Sequence, residues 1–461
     1  MKIYDTMARD KLEFIHSLEE PVRMYVCGLT TYDSMHIGHA KSFVSFDFIV
    51  RYLEYRGFKV RLVINITDID DKVIRRAAER GVEPLFLSSQ YASEFLSELE
   101  RLKIRKAERF PKASENIDEI ISMIRKLMDN GFAYEIDGSI YFDITRTRNY
   151  GRLSGQSMEQ ILAGARVEVD ERKRHPADFA LWKAAKTGEI YWESPWGRGR
   201  PGWHIECSAM SIKYLGETID IHGGGEDLIF PHHENEIQQS EAVTGALFSR
   251  YWMHVGLLNT EGVKMSKSLS NFITVRELLL EFPPEALRFF FANSLYRRQL
   301  NFSVEALMES ETARLRLERY VTEIAASGVK GQAGGEPGNS LLNSFEEAMN
   351  DDFNTREAIA RLFSQLREFS SLAGRGELPL SACDSILWAL RRINSVLFVI
   401  REEAFRVESI DAEIEKLIAE REEARKRKDF AEADRIREVL RSRGIDIEDR
   451  AEGVRWRRVQ S

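Results

Sequence analysis

The chain has 461 residues, 43% of them hydrophobic, enough to bury a substantial core and to divide into two to four domains. Its three cysteines, at positions 27, 207 and 383, are too few and too scattered for a disulfide framework, which points to a reducing, cytoplasmic setting. The formal charge of −8 excludes little, because phosphate backbones respond to local potential; the charged start and the lack of a roughly 20-residue apolar run speak against a signal peptide and a membrane span.

In chain order, the apolar run from Val22 to Cys27 leads through Gly28, Leu29 and Thr30 into an amphipathic stretch from about His39 to Tyr55, which Gly57 ends. Lys59 to Ile66 is rich in β-branched residues. Strand, helix and strand make a βαβ unit, and parallel sheets of this kind bind ligands at the carboxyl ends of their strands, here near Cys27 and Asn65 to Asp68. From about 112 to 196 the pattern changes to a helix, Ile117 to Asn130, and Gly-flanked strands such as Ser139 to Asp143, read as an insertion. The alternating pattern resumes near Trp203, with a strand at Ile219 to His222 and a helix opening at Pro231.

Asn259 to Gly262 is turn-like, and the chain beyond about 280 reads as helical, interrupted by a Gly-rich linker from Gly328 to Gly338. The tail differs again: a charged helix from Asp411 to Lys428, capping-box spacing at Asp429 and Glu432, Gly444 as a helix cap, and a hairpin from Ile445 to Val459 around Ala451 to Gly453. The fold expected is an α/β Rossmann-like catalytic domain (1–111 and 197–246) with a short connective insertion (112–196). A segment 247–314, a helical bundle (315–400) and a small mixed α/β C-terminal domain (401–461) follow.

His36 to His39 stands where a loop gives way to a helix. Helix N-terminal NH groups carry partial positive charge, two imidazoles can donate to phosphate oxygens, and Gly38 lets a flat ring approach the backbone. Lys264 to Ser268 supplies two lysines after a turn, where a cation can meet a leaving pyrophosphate as its charge develops. The two strings, His-Ile-Gly-His and Lys-Met-Ser-Lys-Ser in this order and far apart, resemble the signature of class I aminoacyl-tRNA synthetases. That resemblance implies ATP, accompanied by Mg²⁺, between the motifs: His36 and His39 on the phosphates with Lys264 and Lys267 in the chemistry, and Gly225 and Asp227 in the adenosine-binding loop Gly223 to Asp227.

Cys27, Cys207, His232 and Glu236 offer two thiolates, an imidazole and a carboxylate, a set that suits Zn²⁺ and disfavours Mg²⁺ or Ca²⁺. Without Cys-x-x-Cys spacing, two distant cysteines are more often inert core residues. The segments Cys27 to Asp33, Asn65 to Asp71, Pro201 to Ser208 and Phe230 to Glu236 resemble the cysteinyl-tRNA synthetase family, and the similarity runs over nearly the whole chain. It implies one zinc on Cys27, Cys207, His232 and Glu236, with His233 and Glu234 not ligands; Gly28, Thr67 and Trp203 lining a cysteine pocket; L-cysteine, ATP and tRNA(Cys) as substrates; and a monomer.

A metal that selects a thiolate over an alcohol makes an editing domain unnecessary, in keeping with the short insertion. Lys41 stands where arginine is frequent in the family, Leu29 to Thr31 replace a more usual Pro-Thr-Val, and Ser270 replaces glycine. In the tail, Arg425 to Lys428 and Arg455 to Arg458 form basic clusters. Trp456 could stack on an anticodon base or pack inside the hairpin. Rival readings are a cysteine–amino sugar ligase of mycothiol synthesis and a non-catalytic RNA-binding relative. Cys383 reads as a packed thiol.

Overall fold

The computed structural model describes residues 1–147, 149–164, 172–260, 263–264, 273–327, 336–405, 410–442, 445–450 and 453–458. Strands Val22–Thr30, Val60–Thr67, Ile219–Gly225 and Ser249–Val255 form a parallel sheet, in the spatial order Ser249–Val255, Ile219–Gly225, Val22–Thr30, Val60–Thr67. Runs such as Val63, Ile64 and Ile66 are buried, as expected of strands covered by helices on both faces.

After Val22–Thr30 the chain crosses through the helix Ile37–Tyr55 to one side of that strand; later it returns to lay Ile219–Gly225 on the other side. The strand order therefore reverses between these two strands, and the crevice at their carboxyl ends is the expected ligand site. The helix Ile37–Tyr55 begins two residues earlier than the hydrophobic pattern suggests, because His36 caps it with a ring nitrogen. The strand at Val22 runs on to Thr30 because an irregularity between Val26 and Leu29 shifts its register against Val60–Thr67 without ending the pairing.

Residues between the two portions of the parallel sheet build a four-stranded antiparallel sheet (Ala133–Ile136, Ser139–Phe142, Phe179–Ala184, Gly199–Pro201) against the helix Ile117–Asp129, with a core that includes Ile124, Phe142 and Trp182. Four helices follow, Val304–Ala325, Pro337–Met349, Thr355–Gly374 and Leu380–Leu397. Their core is continuous with that of the parallel sheet: Tyr52, on the helix after the first strand, meets Phe345 and Phe353 edge-on.

Three expectations for this region are corrected. Asn259 and Thr260, read as part of a turn, lie in a short strand, Leu258–Thr260, while 261 and 262 lie outside the described residues; the strand pairs with Val263–Lys264 and with a further strand, Leu300–Phe302, that breaks the run of helices. The predicted linker is shorter than drawn. Residues 328–335 lie outside the described residues, but Pro337 and Gly338 already belong to a helix, where Pro is favoured in the first turn. Gly338 is needed there because a Cβ would sit 2.1 Å from the Ser385 carbonyl oxygen.

The C-terminal helices Ile410–Lys426 and Phe430–Ser442 and the hairpin Ile445–Arg450/Gly453–Arg458 enclose a separate small core of Ile414, Ile436, Leu440, Ile445 and Ile447. Asp429 accepts from the Glu432 amide at the start of the second helix. Trp456, half-buried, packs against that core. Gly444 lies outside the described residues.

Candidate active site

A cleft of about 220 Å³ opens at the switch point. Its wall contains Cys27 and Gly28 from the end of the first strand, His36, Gly38 and His39 from the start of the following helix, and Thr67 from the end of the second strand. Trp203, Cys207, Gly225, Asp227 and His232 also line it. Ten of the thirteen residues assigned from the sequence to catalysis, ATP, cysteine or metal thus line the cleft, together with Gly38. Glu236 lies just beneath the floor, wholly buried, with Oε1 3.5 Å from Cys27 Sγ and 3.0 Å from His232 Nε2. Lys264 is placed by its backbone in the hairpin with Leu258–Thr260, and Leu258 lines the cleft. Lys267 and Ser270 lie outside the described residues.

Local backbone chemistry shapes this wall. Where the first strand shifts register, a Cβ on Gly28 would fall 1.7 Å from the Asn65 carbonyl oxygen, so only glycine fits. The Gly28 amide donates to Asn65 Oδ1 at 2.8 Å, and Asn65 Nδ2 donates to Thr67 Oγ1 at 3.1 Å. On the rim, the His39 amide donates to His36 Nδ1 at 3.2 Å and the two rings stack with centroids 3.5 Å apart. With Nδ1 accepting, a neutral His36 carries its proton on Nε2 as a donor.

The floor is a cluster in which Cys27, Cys207, His232 and Glu236 each bring a ligand atom within 4.8 Å of the others, all buried. Burial alone would raise the Cys207 thiol, but the hydrogen bond from Cys27 and the adjacent His232 bring it down to about 6. Burial, and then Cys207 and Glu236, push the Cys27 thiol well up. Burial opposes ionisation of Glu236, yet His222 and His232 bring its carboxyl down to about 2. Burial likewise opposes the charge on His232, but Glu236 and Cys207 lift it to about 10. Charged His232 donates from both nitrogens, to Glu236 and, at 2.9 Å, to His204 Nδ1. A dry site that holds a positive charge this firmly beside a thiolate and a carboxylate fits a divalent cation, which would displace those protons. Trp203 stacks on His232 with centroids 4.3 Å apart.

Three histidines to which the sequence assigned no site role complete the floor. His222 Nε2 stands 2.8 Å from Glu236 Oε2, and His233 Nε2 stands 3.2 Å from Cys27 Sγ. His233 Nδ1 meets His254 Nε2 at 2.8 Å, and His254 Nδ1 meets the Thr6 hydroxyl at 2.8 Å. Cys27, His222, His233 and Glu236 form a second possible ligand set, sharing two members with the first. Of the two sets, the one with Cys207 and His232 has members in the wall of the cleft beyond Cys27. The strand Ile219–Gly225 is buried at six consecutive positions, so no alternation in the sequence singled out His222.

Residues 13–312 match the tRNA synthetases class I (C) catalytic domain, 344–397 a DALR domain, and 408–457 the cysteinyl-tRNA ligase anticodon binding domain. A cysteine–tRNA ligase of Carboxydothermus hydrogenoformans is 47% identical over 466 residues, covering all of both chains. One of Thermococcus onnurineus is 44% identical over 472 residues, covering 100% of this chain and 99% of that protein. Among solved structures, the methionyl-tRNA synthetase of Mycobacterium tuberculosis with methionyl-adenylate superposes with a TM-score of 0.66 at 15% identity, over 84% of this chain and 92% of that one, a likeness of fold.

Proposed function

The chain belongs to the cysteinyl-tRNA synthetase family of class I enzymes, and from that membership we infer which of its residues carry the ligation of cysteine to tRNA. The carboxylate of cysteine forms a bond to the α-phosphorus of ATP as the bond to pyrophosphate breaks. A terminal ribose hydroxyl of tRNA then attacks the carbonyl of the cysteinyl adenylate, and AMP leaves.

Cys27, Cys207, His232 and Glu236 would hold Zn²⁺, whose chemistry, when bound, is an affinity for the sulfur of cysteine that the alcohol of serine lacks. His222 and His233, behind them, orient Glu236 and Cys27. Gly28, Thr67 and Trp203 flank the amino acid; His36 and His39 donate to the ATP phosphates, with Mg²⁺ accompanying the nucleotide; Gly225 and Asp227 take its ribose. Lys264 and Lys267 stabilise charge on the departing pyrophosphate. Alignment in one cleft, with no side-chain base, supplies the remaining rate. The tail after residue 405 reads the anticodon of tRNA(Cys), and the enzyme acts as a monomer in the cytoplasm. Among the described residues no helix is long and apolar enough to cross a membrane.

The observation that carries this reading is the single cleft onto which both the Cys/His/Glu cluster and the stacked His36 and His39 open. The match of 408–457 to an anticodon-binding domain leaves the amino-sugar ligase reading unsupported. Purified protein should catalyse cysteine-dependent ATP–pyrophosphate exchange and charge tRNA with cysteine but not serine. Exchange supported equally by serine would refute selection at the sulfur.

A further inference from the structure

Lys41 is 1% exposed, one turn inside the helix that His36 caps. Its Nζ is 2.5 Å from the carbonyl oxygen of Gly256 and 2.7 Å from that of Arg298. An ammonium buried against two carbonyls on different segments acts as a clamp, since each bond is charge-assisted and directional.

Both segments matter to the cleft. Val255 to Leu258 form part of its wall. Gly256 lies so close to the second segment that a Cβ would stand 2.5 Å from the Arg298 carbonyl group, and its amide donates to the Tyr296 carbonyl. The Leu300 amide donates to Leu257, and Leu300–Phe302 then pairs with Leu258–Thr260. On its other edge Leu258–Thr260 pairs with Val263–Lys264, the strand that leads into the lysine motif. Lys41 therefore joins three parts otherwise distant in the chain: the helix that begins at the two histidines, the wall strand, and the segment that supports the root of the Lys264 hairpin.

We propose that Lys41 is a positioning residue for the nucleotide, which by bridging the Gly256 and Arg298 carbonyls fixes the Val255 to Leu258 wall and the hairpin bearing Lys264 relative to His36 and His39. It touches no substrate in this role. The proposal rests on reading the cleft as the ATP site. The cysteine end, built from Cys27, Thr67, Trp203 and Cys207, shares none of these bonds, so loss of the clamp should fall on one substrate and not the other.

The test is steady-state cysteine-dependent ATP–pyrophosphate exchange by the full chain as wild type, Lys41→Met, Lys41→Gln and Lys41→Arg, with metal content and thermal unfolding measured on each. Lys41→Met removes both bonds, and the KM for ATP should rise about tenfold with a fall in kcat, while the KM for cysteine stays within about twofold. Lys41→Arg, which keeps a charge and several donors, should recover most of the ATP affinity; Lys41→Gln, with one short amide donor, should fall between and serves if the methionine variant does not fold. Equal rises in both KM values, or an arginine variant no better than the methionine one, would reduce Lys41 to general packing and overturn the proposal. A wild type without cysteine-dependent exchange would instead refute the reading of the cleft, and the two failures are told apart by the wild-type rate alone.

Discussion

His222 Nε2 lies 2.8 Å from Glu236 Oε2, with both side chains wholly buried, so one carboxylate oxygen is occupied from behind while the other faces Cys27 and His232. A group that orients a ligand's carboxylate should matter nearly as much as the ligand. His222→Ala is expected to weaken zinc binding by roughly 10–100-fold, and Cys207→Ser to abolish stoichiometric zinc together with preference for cysteine over serine. Chelator competition with metal analysis reads the first, and amino acid competition in the exchange assay the second. An alanine variant that keeps wild-type zinc affinity would place His222 outside the metal's support.

Gly28→Ala has no room. The Cβ would overlap the Asn65 carbonyl oxygen, and relief must separate the two strands at the point where Cys27 and Thr67 leave them. A shift of about 1 Å there can cost on the order of 100-fold in rate. The exchange rate of the variant should fall by that order while far-ultraviolet circular dichroism stays that of the wild type; unchanged kinetics would mean the wall adapts freely.

Glu98, on the helix Pro84–Arg101, is buried, and its carboxyl is raised from the ordinary 4.5 to about 7, first by burial and then by Glu94, against the pull of Arg101 and Arg276. The folded state binds this proton more tightly than the unfolded chain does. Its contribution is therefore fully present below about pH 4.5 and is lost as pH rises through 7. At pH 8 the ionised carboxyl costs about 3 kcal/mol at most. Glu98→Gln should unfold at a higher temperature than wild type at pH 8, with the difference shrinking towards pH 5. A gain that is the same at both pH values would show that titration of Glu98 is not its source.

The C-terminal core is separate, whereas Val399, Ile400, Ala404 and Phe405 belong to the main one, and Arg401 is held by Glu318. Deleting 406–461 rather than 401–461 should thus leave the main core closed. The truncated enzyme is expected to retain cysteine-dependent exchange within about threefold, as for an independent packing unit, while its KM for tRNA rises strongly. Wild-type charging by the truncated form would make the tail structural only. Trp456 packs partly into the small core, so Trp456→Ala should destabilise the hairpin as well as weaken tRNA binding.

The parallel sheet and its cleft were legible because β-branched runs, a loop and a capped helix follow one another within the first 70 residues. The cluster of Cys27, Cys207, His232 and Glu236 was legible through resemblance, and only the spacing of His232 and Glu236 spoke for itself. His222, His233 and His254 were not, because their meeting depends on where an irregular turn over Ile229–His233 throws two adjacent imidazoles, which no periodicity encodes. The Leu300–Phe302 strand escaped for a different reason: three residues are too few to show alternation, and it is held by a partner more than 40 positions away.

Cys27 and His36 are joined by one uninterrupted stretch of chain, pinned at its start by the sheet and at its end by the helix it caps. On the proposed reading, that stretch would act as a caliper between the floor that holds sulfur and the rim that faces phosphate, its two ends being fixed by the sheet and the helix. Homocysteine offers the same sulfur chemistry on a chain one methylene longer, so its carboxylate would overshoot by about 1 Å, a misplacement that can cost on the order of 100-fold in rate. On that reading, selection by length would draw on the same few residues that select by element.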